Sequence, residues 1–229
     1  MSNAIEVMSS AEAVAERVAD LVIAAARSAH SNVILAGGTT PAAAYQRLGS
    51  RLQADAATGL HLWYGDERMV APDHADSNAR MVRTCWLDAA GWPAEREHRI
   101  CGELGATEAA AAISAELRIH VGADPRFDLA LLGVGADGHT ASLFPGEPVA
   151  EGWFAPARQG SRVTATYSLL WSAREVVFVV TGSGKAEVLQ RVWAGAAPQL
   201  PVTRVAQGVR ERGGQVRWIA DVSAAGARK

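Results

Sequence analysis

The segment FDLALLGVGADGHTASLFPG spans residues 127–146 and decides the fold. Its first part, FDLALLG (127–133), is a short apolar run closed by a glycine. Such a run reads as a strand covered on both faces, the usual state of a strand in a parallel sheet. A glycine-rich loop follows it. The same grammar recurs along the chain. NVILAGG (32–38), LHLWY (60–64), REVVFVVTG (174–182) and QVRWIAD (215–221) read as strands, and RVTATYS (162–168) as another. Helical patterns lie between them: from about Ser9 to Ala29, at PAAAYQRL (41–48), from Ser77 to about Leu87, over 107–121, and at GKAEVLQRVWAG (184–195). Strands alternating with helices predict an α/β domain with a mostly parallel sheet and helices on both faces. With no repeat and no low-complexity linker, one domain over 1–229 is expected. In such sheets, sites gather beyond the carboxyl ends of the strands.

Local signals refine this reading. Ser9 and Glu12 have capping-box spacing, and Val14, Val18, Leu21 and Val22 form one stripe of the first helix. Thr40-Pro41 reads as the cap and first residue of the second helix. GDERMVAPDHAD (65–76) reads as a polar loop.

Composition bounds the function. The chain has 229 residues, 49% of them apolar and 20% charged, with a formal net charge of -2. That length buries a sizeable core without disulfides. The charge balance gives no footprint for nucleic acid. The longest apolar runs, such as VVFVV (176–180), fall far short of the ~20 residues that span a bilayer. Cys85 and Cys101 have no zinc spacing and read as reduced thiols. MSNAIEVMSS (1–10) shows no export signal, so a cytoplasmic location is expected. One count is unusual. Twenty basic residues are arginines and two are lysines, Lys185 and the last residue, Lys229.

Four loops follow predicted strands. GGTTP (37–41) joins two glycines, two hydroxyls and a helix start, which reads as a phosphate cradle or as a simple turn capped by Thr40. GVGADG (133–138) matches the dinucleotide fingerprint in form only. Phe144-Pro145-Gly146 interrupts any long helix, and no acidic residue falls between Glu151 and Glu175. The loop instead projects Asp137 and His139. GDER (65–68) carries Asp66, Glu67 and Arg68, which read either as a solvated charge run or as groups that orient a substrate at the end of a buried strand. Asp73, His74 and Asp76 beside it fit no trusted metal spacing. TGSGKAEVL (181–189) resembles a Walker loop but has Val179 and Ala186 where glycine and a hydroxyl are needed. What remains is Lys185 at a helix start, where a cation meets a phosphate well. His30, His61, His98 and His120 read as structural or surface residues; His139 differs by its loop and by Asp137.

Taken together these runs resemble the 6-phosphogluconolactonase family. AGGTTPAAAYQRL (36–48), YGDERMVAPDHADSNARMVR (64–83), FDLALLGVGADGHTASLFPG (127–146), RVTAT (162–166) and REVVFVVTGSGKAEVL (174–189) carry the resemblance, with LPVTRV and VRWIADVSA weaker. It implies an open Rossmann-like sheet without a dinucleotide site. Glucosamine-6-phosphate deaminases share that fold and form the alternative, as does a non-catalytic sugar-phosphate-binding protein. The deaminases usually read DEY where this chain has Asp66-Glu67-Arg68, and carry a glutamate where it has Phe144. Two departures from the lactonase pattern stand out: ARQGSR (157–162) replaces a proline-rich approach, and Trp171 stands where many members have asparagine. Trp171 is expected at the rim of the site.

The resemblance implies hydrolysis of 6-phospho-D-glucono-1,5-lactone to 6-phosphogluconate in the oxidative pentose phosphate pathway. His139 would be the base, since an imidazole ordinarily titrates near neutrality. Asp137 or Asp66 would orient it or bind sugar hydroxyls. Arg68 would bind substrate or steady the oxyanion. Gly37, Gly38, Thr39, Thr40, Arg162 and Lys185 would hold the phosphate. Ser77, Asn78 and Arg80, or Arg83, would assist. The expected partner is a small sugar phosphate, with no cofactor, metal, nucleic acid or membrane, in a monomer or weak homo-oligomer.

Overall fold

The computed structural model describes residues 4–226. Its elements in chain order are β1 (Ala4–Met8), α1 (Ala11–Ala25), β2 (Ser31–Leu35), α2 (Thr39–Leu48), β3 (Leu60–Tyr64), β4 (Asp66–Arg68) and α3 (Asn78–Val82). Then come β5 (Glu97–His98), α4 (Ala106–His120), β6 (Leu129–Gly133), β7 (Phe154–Ala157) and β8 (Arg162–Ala165). The chain continues through α5 (Tyr167–Leu170), β9 (Glu175–Val180), α6 (Ala186–Trp193), α7 (Pro201–Glu211), β10 (Gln215–Asp221) and α8 (Val222–Ala225).

Seven strands form one sheet in the order β1-β10-β9-β6-β2-β3-β5, and every neighbouring pair is parallel. Leu129 to Leu132 of β6 and Val176 to Val180 of β9 are buried without a break. This is what helices on both faces produce, and it is the reason these strands were legible as continuous apolar runs. From β2 the chain winds outward through β3 to β5. From β6 it winds the other way through β9 to β10. The order therefore reverses between β2 and β6, and the crevice beyond their carboxyl ends is where such sheets bind ligands.

A smaller antiparallel sheet, β4-β8-β7, sits beside that crevice. The stretch read as a polar loop at 65–76 therefore opens with a strand. Three residues carry too little apolar pattern to signal one. β5, with two residues, and β7, with four, were not expected either. β1 is an edge strand in the stretch to which no element was assigned. α7 begins with Pro201 at its first turn and was also missed.

Two caps differ from expectation. Ser10, not Ser9, caps α1, its hydroxyl accepting from the Ala13 N–H at 3.2 Å. α2 starts one residue before the expected cap, so Thr40 lies within its first turn and Gly38 takes the cap position. Gly38 has φ +99°, a conformation that suits glycine and that Thr40 would not adopt cheaply. The stripe Val14, Val18, Val22 is buried, and Leu21 is half-buried at its border. Among the described residues no helix is long and apolar enough to cross a membrane.

Candidate active site

The loops after β2, β3, β6 and β9 all leave the carboxyl edge of the sheet, and they meet around a cavity of about 250 Å³. That is the scale of a small molecule. Gly37, Gly38, Thr39, Thr40, Asp66, Arg68, Asn78, His139, Arg162 and Lys185 all line it.

The β6 loop brings a carboxylate and an imidazole together. The Asp137 Oδ1 lies 2.6 Å from His139 Nδ1 and also accepts the His139 backbone N–H at 3.1 Å. Partial burial works against ionisation of Asp137, but the two hydrogen bonds from His139 outweigh it and hold the carboxyl below its usual range. An ionised Asp137 takes the Nδ1–H, which leaves the Nε2 lone pair of His139 free. Glycine makes this approach possible. A Cβ on Gly135 would stand 2.0 Å from His139 Nδ1 and 2.6 Å from Asp137 Oδ1. The loop closes through Gly135 N–H to His139 O at 2.8 Å, and no helix follows before residue 154. The G-x-G-x-x-G pattern thus serves a tight turn, not a dinucleotide. Phe144 lies against the His139 ring, with centroids 4.5 Å apart, and the Arg158 guanidinium lies 4.3 Å from the Phe144 ring centroid.

Asp66 does not pair with His139. Its Oδ2 accepts from Ser142 Oγ at 2.5 Å, its Oδ1 from the Asn78 amide at 3.2 Å, and Arg162 lies 3.7 Å away. Asp66 therefore ties three loops together. Glu67 does the same from beneath. Its Oε1 accepts the Arg68 and Asn78 N–H groups, and its Oε2 accepts the Ala79 N–H and the Ser77 hydroxyl. Burial raises the Glu67 carboxyl, and these four donors work against that rise.

The cations are the less comfortable part. β4 and β8 pair Arg68 directly opposite Arg162. Like charges facing across a sheet repel. Burial first, and then the Arg68 charge, depress the Arg162 guanidinium below its ordinary value. Among the described residues Lys185, at the start of α6, has no side-chain partner. The first hydrogen bond of α2 runs from the Ala42 N–H to Gly38 O, so the Thr39 and Thr40 N–H groups are not used within the helix. Thr40 Oγ1 meets Thr181 Oγ1 at 2.6 Å, joining the first cradle to the Lys185 loop. Asp221 pins that loop by accepting the Gly182 N–H at 3.0 Å. A cavity with two facing arginines, a free ammonium and a helix N-terminus is built for an anion.

Five residues expected at the site lie elsewhere or act otherwise. Ser77 is buried as the cap of α3, accepting the Arg80 N–H at 3.1 Å, and does not line the cavity. Asn78 lines it, but its amide is committed to Asp66, and Gly37 lies so close that a Cβ there would strike Asn78 at 2.0 Å. Arg80 is exposed on the outer side of α3 and outside the lining. Arg83 pairs with Asp88 and the buried Glu97. Trp171 is not at the rim. Its indole N–H reaches Arg204 O at 3.1 Å, and its ring packs against Gly208 of α7. Thr181, Ser142 and Asp221 were missed. Of these only Asp221 had a separate signal, an acidic residue closing an apolar strand.

The family described as glucosamine-6-phosphate isomerases/6-phosphogluconolactonase matches residues 7–218. The chain belongs to this family. It is 34% identical over 242 residues to the 6-phosphogluconolactonase of Nostoc sp., covering 98% of both chains. It is 35% identical over 229 residues to the 6-phosphogluconolactonase of Homo sapiens, covering 94% of this chain and 86% of that one. Among solved structures, a 6-phosphogluconolactonase from Trypanosoma cruzi superposes with a TM-score of 0.86 at 25% identity, over 100% of this chain and 97% of that one. A monomeric glucosamine-6-phosphate deaminase superposes with a TM-score of 0.80 at 16% identity, over 97% and 98%. That likeness shows the fold alone, so side chains must separate the two branches of the family. Phe144 against His139 is such a difference: an apolar ring stands where the deaminase pattern has a glutamate.

Proposed function

We propose that this enzyme hydrolyses 6-phospho-D-glucono-1,5-lactone to 6-phosphogluconate, in the oxidative pentose phosphate pathway. The observation that carries the reading is the Asp137–His139 pair beside a cavity lined by Arg68, Arg162 and the unpartnered Lys185. A lactone is an activated ester, so a held water and a base suffice. His139 Nε2 takes a proton from water as the water oxygen bonds to C1. The carbonyl electrons move onto the carbonyl oxygen, where Arg68 meets the developing charge. When the tetrahedral intermediate collapses, the bond from C1 to the ring oxygen breaks. The imidazolium returns its proton to that oxygen, and the product acid ionises to a carboxylate. Asp137 fixes the tautomer and steadies the imidazolium. The α2 N-terminus, Arg162 and Lys185 hold the 6-phosphate and so place C1 against His139. A deaminase-like ring opening lacks its carboxylate at Phe144, and a merely binding protein has no use for the Asp137–His139 pair.

The test is direct. Purified protein is added to freshly generated lactone, and lactone loss is compared with the spontaneous rate. Ammonia release from glucosamine 6-phosphate is followed in parallel. Acceleration of the first with none of the second is expected. The reverse result would overturn the assignment.

A further inference from the structure

Three histidines outside the active site converge at the sheet edge. The period of two along β3 sets His61 and Trp63 on one face. The β3–β5 register pairs Trp63 with His98, so His98 shares that face and its ring stacks on the indole at 3.9 Å. α4 ends over the same face with His120, whose ring lies 4.6 Å from that of His98. One ring nitrogen from each histidine lies within 4.8 Å of the other two. Among the described residues no other group of three or more His, Cys, Asp or Glu side chains is so disposed.

We propose that His61, His98 and His120 bind a divalent metal of the zinc type, with Glu116 as the carboxylate that orients His98. Glu116 Oε1 lies 2.6 Å from His98 Nδ1, and His98 Nε2 lies 2.9 Å from His61 Nδ1. This is the carboxylate–histidine–metal arrangement, in which the outer carboxylate takes one ring N–H and the other nitrogen faces the ion. Zinc sits ~2.0–2.1 Å from imidazole nitrogen. Two nitrogens 2.9 Å apart would subtend about 90° at such an ion, so widening them by a few tenths of an ångström gives a tetrahedral angle. His120, exposed at the end of α4, sets its ring beside those of His61 and His98, in place for a third ligand. Three imidazoles with a fourth position for water suit zinc, copper or nickel. The ion would tie the two-residue edge strand β5 to β3 and to the end of α4.

The probe is zinc itself, titrated into tag-free, chelator-stripped protein by calorimetry. One equivalent is expected to bind and to raise the melting temperature. Glu116→Ala should weaken binding about tenfold or more. His120→Ala should abolish it while leaving the zinc-free melting temperature unchanged. His139→Ala separates this site from the active-site histidine, and binding should survive there. No binding by the wild type, binding unchanged in a His61→Ala/His120→Ala double variant, or binding lost only in His139→Ala would each overturn the proposal.

Discussion

The two ends of β3 treat histidine in opposite ways. Beyond its carboxyl end, His139 sits on a glycine-rich loop, half-exposed, with an ionised Asp137 on one nitrogen and a cation-lined cavity on the other side. Near its amino end, His61 faces His98 and His120 over an indole, with one carboxylate at the margin. The first environment leaves one imidazole nitrogen free to move a proton. The second aims several nitrogens at one another and suits a shared ligand. Charge separates them further. The cavity end sets three cations, Arg68, Arg162 and Lys185, around the single carboxylate of Asp66, whereas the other end holds Glu116 against His98. Residue type alone therefore says little here. The second partner of each imidazole says what it can do.

The sharpest way to break this contrast is to remove the proton acceptor. His139→Ala should lower kcat about 10²–10⁴-fold while leaving product binding largely intact, measured by turnover and by product titration. Near-normal turnover would remove His139 as base. Gly135→Ala attacks the same pair through the backbone. Its Cβ would stand 2.0 Å from His139 Nδ1, so the imidazole must leave Asp137. Misplacement of that kind costs on the order of a hundredfold in kcat, with KM little changed. A variant that keeps full turnover would show that the Asp137 contact is dispensable.

Lys185→Ala probes the cations rather than the base. Loss of a charged hydrogen bond to phosphate should raise KM for the phosphorylated lactone about tenfold or more, with a smaller effect on kcat. If KM held, the phosphate would have to sit between Arg68 and Arg162 instead. Glu67→Gln probes the scaffold beneath. The carboxylate accepts from four donors, and an amide nitrogen would face two of them, so a loss of about 1–3 kcal/mol in urea unfolding is expected. The pH dependence has a definite sign. Burial raises the folded-state value of Glu67 above the unfolded one, so the native state binds this proton more tightly. Wild-type stability from this group is then highest below the unfolded value, ~4.5, and falls as pH rises through the folded one. The Gln variant lacks that slope, so the gap between the two proteins narrows as pH rises across this window.

Which parts were readable in sequence follows from how local their signals are. β2, β3, β6, β9 and β10 announced themselves because buried parallel strands are apolar at every position. β4, β5 and β7 have two to four residues each, and their existence depends on partners far along the chain. The site residues divide in the same way. Asp137, His139 and Lys185 lie in loops whose glycines mark them. Ser77 and Asn78 were expected to assist at the phosphate on the strength of the resemblance alone, but Glu67 and Asp66 claim them instead. Nothing local could reveal that, since the carboxylates come from the preceding strand. The histidine cluster was invisible for the same reason: its members come from β3, β5 and α4, and only register brings them together.

The smallest expected effect is the one that tests whether the two histidine regions are separate. His61 and Asp66 are five residues apart on an extended chain, roughly 16 Å along the strand direction. Sites that far apart, sharing no partner, usually act independently to within ~0.3–0.5 kcal/mol. His120→Ala should therefore leave kcat/KM for the lactone within about twofold of wild type, with or without added zinc. Stripping zinc with a chelator should be equally silent in turnover, while it lowers the melting temperature of the wild type and not of the His120→Ala variant. A larger loss of turnover in either case would mean that β3 transmits strain from its amino end to the Asp66 and Arg68 loop. The two ends would then be one device, and the edge cluster would regulate the cavity instead of only bracing the sheet.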